Sequence, residues 1–249
     1  MKKNLGQNFL IDKNIAELEV KQADIKDNDI VLEIGPGIGI LTKFLAKKAK
    51  KVIAIEIDEK LINNLKRVLP GNVDLIHENA LNIDFETLPK FNKIVSNLPF
   101  QISSPITFKL LDYDFELAIL IYQKEFAERL VASSGSKNYS RLSVGIYYKS
   151  KCEIIRIIPK TCFRPQPKVD SNMIKIIPRK SPPFDVINEK FFFSLTKNLF
   201  NYRRKKIRNI LVNLYDLNLD NVPYLENRVE ELTPMQIGEL SDYLFKLLN

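Results

Sequence analysis

The 249-residue chain has one histidine, His77, too few for a metal centre built from several imidazoles, and no segment carries metal-ligand spacing. Its two cysteines, Cys152 and Cys162, make no disulfide framework and read as reduced thiols of a cytoplasmic protein. No apolar run approaches the roughly 18 residues that a membrane span needs; Leu117 to Tyr122 is among the longest. The opening Met1-Lys-Lys-Asn-Leu-Gly-Gln7 lacks the apolar core of a secretory signal, so a cytoplasmic location is expected. Internal repeats and low-complexity segments are missing too. With 45% hydrophobic and 27% charged residues, the composition is that of a globular protein and excludes disorder, collagen-like repeats and a pure coiled coil.

What the chain has in excess is positive charge. There are 38 Lys and Arg against 30 Asp and Glu, a net charge of +8, which suggests an anionic partner, nucleic acid first. The excess is local. Lys149 to Lys180 holds nine basic and two acidic residues, and five of the six residues from Arg203 to Arg208 are basic.

Short β-branched runs alternate with amphipathic stretches over the first 130 residues. Strands are predicted at 30–34, 52–56, 73–77, 93–96 and 116–121, and helices at 13–23, 40–49, 59–68, 104–111 and 123–132. Ser104-Pro105 reads as an N-cap and first helical position. Such alternation predicts a doubly wound α/β sheet with a largely parallel core. Two late strands, 153–158 and 171–177, have no clear helix between them and suit an antiparallel pair finishing the sheet. Pro178-Arg-Lys-Ser-Pro-Pro183 reads as a linker. A first domain of residues 1–179 and a helical C-terminal domain of 180–249 are therefore expected, with helices at 188–200, at 205–214 and from Thr233-Pro234 to the end.

Glu33-Ile-Gly-Pro-Gly-Ile-Gly39 sits between a predicted strand and helix, where glycines allow a tight turn and close approach to a nucleotide-like ligand. Its spacing is not the dinucleotide Gly-x-Gly-x-x-Gly. Glu56 ends the next strand, where a carboxylate can accept both ribose hydroxyls. Asn97-Leu-Pro-Phe100 follows the fourth strand. An exocyclic amine on adenine is a poor nucleophile because its lone pair is delocalised into the ring. Acceptors at the Asn97 side chain and the Leu98 carbonyl can draw that lone pair out of conjugation. Pro99 stiffens the loop and Phe100 offers a face on which a base can stack. This chemistry needs neither a metal nor a charged base.

With these motifs in place, the chain resembles the small-subunit ribosomal RNA adenine dimethyltransferases, the kasugamycin-sensitivity family, in a compact archaeal-like form. The likeness spans almost the whole chain in five ordered segments: Gly6-Gln-Asn-Phe-Leu10, Glu33 to Thr42, Asn97 to Pro105, Phe163-Arg-Pro-Gln-Pro-Lys-Val-Asp-Ser171 and Phe200-Asn-Tyr-Arg-Arg-Lys205. It implies a Rossmann-like methyltransferase fold, with S-adenosylmethionine contacting Asn8, Leu10, Gly35, Glu56, Asn79 and Asn97. Asn79 departs from the family, which usually has Asp there, so the acceptor for the cofactor's adenine amine lacks a charge. The resemblance also implies that Phe163 clamps the target base opposite Phe100. Arg203, Arg204, Lys205, Lys206 and Arg208, read as part of a helix, are expected to bind RNA phosphates. The implied reaction is methylation at N6 of two adjacent adenosines near the 3′ end of small-subunit rRNA, giving N6,N6-dimethyladenosine during ribosome biogenesis. The chain would act as a monomer on the immature small subunit. Two alternatives are a large-subunit rRNA adenine methyltransferase of the antibiotic-resistance type, and a non-catalytic assembly or transcription factor on the same fold.

Overall fold

The β-branched runs are too short for stable helices and too apolar for the surface, so they pair side by side in the interior. A computed structural model of the chain describes residues 7–215 and 219–249. Its elements run β1 (Phe9–Leu10), α1 (Lys13–Gln22), β2 (Ile30–Ile34), α2 (Ile40–Ala46), β3 (Lys51–Glu56), α3 (Glu59–Leu65) and β4 (Val73–His77). They continue with β5 (Lys93–Asn97), α4 (Ser103–Leu110), β6 (Leu117–Gln123), α5 (Lys124–Leu130), α6 (Arg141–Lys149), β7 (Ser150–Ile158), β8 (Phe163–Arg164) and β9 (Ser171–Pro178). Three helices close the chain: α7 (Glu189–Asn201), α8 (Ile207–Leu214) and α9 (Pro234–Leu248).

Seven strands form one sheet in the order β4-β3-β2-β5-β6-β9-β7. The five from β4 to β6 pair in parallel, and β9 runs antiparallel to β6 from Ala118–Ile176 to Gln123–Ser171. The two late strands thus finish the sheet at one edge, as the sequence predicts. The order reverses between β2 and β5, and in such sheets the ligand crevice lies beyond the strand carboxyl ends at that reversal. Separately, β1 pairs antiparallel with β8, Phe9 opposite Arg164 and Leu10 opposite Phe163.

The chain divides into two compact units, one of residues 1–127 and 152–178 and the other of 128–151 and 179–249. The linker at Pro178 marks one crossing, but the chain also enters the second unit earlier, through α6, which the sequence did not reveal. Tyr139, Val144 and Tyr148 pack there into an apolar cluster with Phe192, Leu195 and Leu199 of α7. The first unit has its own apolar cluster, which includes Val31, Val52, Val95 and Ile119 of the central strands.

Two local expectations change. Helix α4 starts at Ser103, continuous with a 3-10 turn over Phe100–Ile102, so Ser104 is not its cap and Pro105 sits inside the first turn. Proline is tolerated there because first-turn N–H groups have no helical partner. Of the basic cluster only Arg208 is helical. Residues 203–206 form the turn between α7 and α8, with Lys206 at the N-cap and bridged to Arg228.

Candidate cofactor and substrate cavity

At the sheet reversal, the loops after β2 and β5 border a cavity of about 310 Å³. The glycine turn after β2 needs left-handed backbone at Gly35 (φ +73°) and Gly37 (φ +57°). Space excludes a side chain as well. A Cβ at Gly37 would lie 2.7 Å from the Phe9 ring, and one at Gly35 would press on Pro99 at 3.3 Å. The turn is thereby fitted against both the N-terminal segment and the Asn97 loop.

Glu56 ends β3 at the cavity wall, 4% exposed. Its Oε1 accepts the N–H groups of Ile57 (2.9 Å) and Asp58 (3.0 Å), and its Oε2 that of Gly37 (3.3 Å). Burial raises its carboxyl above the ordinary value, while these backbone donors oppose the shift. An oriented carboxylate beside a glycine turn is the donor-seeking wall that a ribose requires, so the cavity fits the nucleoside part of S-adenosylmethionine. Asn79 borders the same cavity, and its Oδ1 already accepts from Leu81 N–H at 3.0 Å. The Lys109 ammonium, lying 4.6 Å over the Phe85 ring, fastens this loop by donating to the carbonyls of Ala80, Leu81 and Ile83.

Asn97 closes β5 and also borders the cavity. Its Nδ2 donates to Glu19 Oε1 at 3.1 Å, while its Oδ1 is buried without a partner among the described residues. An unspent buried carbonyl is costly unless a donor arrives. Leu98 anchors the loop with its side chain 2% exposed, Pro99 packs toward the glycine turn, and half-buried Phe100 faces the cavity. His77 holds the Ile57 carbonyl through Nε2 (3.2 Å), a structural contact.

Asn8, Gly35, Glu56, Asn79 and Asn97 therefore border one cavity. Asn8 is held by donating from Nδ2 to the Pro165 carbonyl (2.6 Å). Gly6 lies outside the described residues. Three placements differ from what the sequence implied. Leu10 turns its side chain into the core while Phe9 takes the cavity, because adjacent strand residues face opposite ways. Phe163, paired to Leu10 and 4% exposed, belongs to the same apolar cluster and offers no free face to a base. Two acids of the same unit, Glu226 and Glu230, pair with three of the five residues of the basic cluster. Arg203 binds Glu230 (2.5 Å) and the carbonyls of Lys137 and Ser136, and Lys206 and Arg208 share Glu226. Arg204 and Lys205 stay exposed, the latter stacked at 5.0 Å on Tyr202. Reading by motif also missed Glu19, a fully buried acid on α1, although its place among Ile15, Ala16 and Val20 on the apolar side of that helix was a signal.

No helix among the described residues is long and apolar enough to cross a membrane, and no group of three or more His, Cys, Asp or Glu could hold a metal ion.

The chain is 43% identical to a probable ribosomal RNA small subunit methyltransferase A of Methanococcus aeolicus, covering 99% of this chain and 97% of that one. It is 45% identical to a protein of the same description from Thermococcus onnurineus, over 97% and 91%. Among solved structures, a dimethyladenosine transferase from Plasmodium falciparum superposes with a TM-score of 0.81 at 31% identity, over 93% of this chain and 95% of that one. The 23S rRNA methyltransferase ErmE superposes at 0.70 and 26%, over 97% and 100%. A family model for ribosomal RNA adenine dimethylase matches residues 1–245, and with relatives of this identity over nearly its whole length the chain belongs to that family.

Proposed function

We infer that the chain transfers methyl groups from S-adenosylmethionine to N6 of two adjacent adenosines near the 3′ end of small-subunit rRNA, as a cytoplasmic monomer acting on immature small subunits. The observation that carries this reading is the Asn97 amide, which borders the same cavity as Glu56 and the glycine turn and whose buried carbonyl oxygen has no partner among the described residues. S-adenosylmethionine, when bound, supplies a methyl group on a positively charged sulfur. Glu56 accepts from its ribose, and Asn8, Gly35 and Asn79 border the rest of the nucleoside. The target base stacks on Phe100. Its amine donates to Asn97 Oδ1 and the Leu98 carbonyl, acceptors whose geometry favours the amine as it becomes tetrahedral, so their effect falls on the transition state. Arg204 and Lys205 supply the phosphate contacts that the rest of their cluster, spent on Glu226 and Glu230, does not.

The small-subunit reading is supported by relatives of that description at 43% and 45% identity; the large-subunit alternative rests on a more distant likeness at 26%. Primer extension on both rRNAs from a deletion strain separates the two. The direct test is tritiated methyl transfer to immature small subunits, with mass spectrometry of the digested rRNA. The expected product is mainly dimethyladenosine, and a product that stops at monomethyladenosine refutes double methylation.

A further inference from the structure

Glu19 is an acid in the wrong place for stability. It lies on the buried side of α1 at 0% exposure, beside Ile15, Ala16 and Val20. Its Oε2 has no hydrogen-bond partner among the described residues. Burial pushes its carboxyl well above the ordinary value; the hydrogen bond from Asn97 opposes the shift and the charge of Glu33 adds to it. A buried, half-satisfied carboxyl costs free energy. The hydrogen bond it does make is to Asn97 Nδ2, across 78 positions of sequence.

An asparagine amide turned by 180° has nearly the same shape but presents an NH2 group where the carbonyl was. Turned that way, Asn97 would set a donor against the N–H of the target amine and would hinder the attack it is meant to assist. A neighbour that accepts from Nδ2 decides between the two orientations. We propose that Glu19 is a positioning residue for methyl transfer: its Oε1 holds the Asn97 amide with the NH2 group turned inward, so that Oδ1 remains the acceptor for the target amine. This rests on the role of Asn97 proposed above.

The test compares Glu19→Leu, Glu19→Gln, Asn97→Ala and the Glu19→Leu/Asn97→Ala double variant by single-turnover methyl transfer to immature small subunits. Cofactor affinity is measured alongside by calorimetry. In Glu19→Leu the NH2 group would face an apolar side chain, and its desolvation turns the amide outward. The rate should fall about ten- to a hundredfold while cofactor affinity stays within about twofold. Gln keeps an acceptor for the same N–H, so Glu19→Gln should recover most of the rate. The double variant should be no slower than Asn97→Ala alone, because the two residues act through one amide. A purely structural Glu19 would instead move thermal stability and cofactor affinity together. A normal rate in Glu19→Leu, or equal losses in Leu and Gln, overturns the positioning role while leaving Asn97 in place. A normal rate in Asn97→Ala overturns the underlying reading itself. Should Glu19→Leu not fold, the exchange of the Asn97 side-chain amide protons in the wild-type protein decides, with slow exchange expected and rapid exchange overturning the proposal.

Discussion

Replacing Glu56 by alanine is the sharpest test of the cavity. A carboxylate offers about four acceptor positions. Ile57 and Asp58 occupy both on Oε1, and Gly37 takes one on Oε2 through a long contact of 3.3 Å. A ribose hydroxyl therefore finds one full acceptor, and a second hydroxyl must share with the weak Gly37 bond. One charge-assisted hydrogen bond is worth about 1.5–3 kcal/mol, so Glu56→Ala should weaken S-adenosylmethionine roughly ten- to a hundredfold, with the larger loss only if the shared bond also counts. The same substitution orphans three backbone N–H groups, so thermal stability should fall as well. Glu56→Gln separates the two effects. Its oxygen can still serve Ile57 and Asp58, but its NH2 would face the Gly37 donor, so affinity should fall about tenfold with little change in stability. Calorimetric titration with the cofactor and thermal melts of all three proteins give the comparison. An alanine variant with wild-type affinity would refute the assignment of Glu56 to the ribose.

Asn79→Asp keeps the cap on Leu81 and replaces the Nδ2 donor with a second acceptor, so cofactor affinity should rise or hold; a clear loss would show that residue 79 does not border the adenine. Arg204→Ala and Lys205→Ala should each flatten the log–log salt dependence of RNA binding by about 0.7–0.9 without lowering thermal stability. Arg203→Ala, which strands Glu230, should instead destabilise the protein, and the opposite pattern would mean that Arg203 is the phosphate ligand. Burial pushes the Glu33 carboxyl up to about 8, with the Thr42 hydroxyl opposing and the charge of Glu56 adding. The folded chain therefore holds this proton more tightly than the unfolded chain, and stability present at acid pH is lost as pH rises through that value. Glu33→Gln should flatten the loss, which is on the order of 4 kcal/mol at most. Denaturant midpoints at about pH 5 and about pH 9 check it, and an unchanged slope would place the titration elsewhere.

The parallel strands were legible because buried strands are apolar throughout, and Val31, Ile53 and Ile94 are all fully buried. The glycine turn and the Asn97 loop were legible because their residue types serve a backbone geometry or a chemistry that few others can. Helix α6 was not, since Gly145 and the β-branched residues around it are weak helix formers held by packing against α7. The ion pairs of the basic cluster were hidden for a related reason: Glu226 and Glu230, which offset two of its five charges, follow some 20 residues later and meet it only in the folded chain. Local charge repulsion argued for an outside anion, and tertiary structure supplies two inside ones for five cations. Phe163 shows the same limit, because an aromatic before prolines reads alike whether its ring meets a base or the core.

The pairing of β1 with β8 also sets a clock. Asn8 depends on Pro165, 157 positions further along, and Phe9, which packs on the glycine turn, pairs with Arg164. Asn8 and Phe9 thus wait for some of the last residues of their unit before either is in place. At roughly 5–20 residues per second, synthesis from Asn97 to Pro165 takes on the order of three to fifteen seconds, with the nucleotide-binding strands already made and one wall of their cavity missing. A chain released early, or one cut between β7 and β8, would keep the sheet motifs that define the family and still lack the contacts that shape a place for the methyl donor.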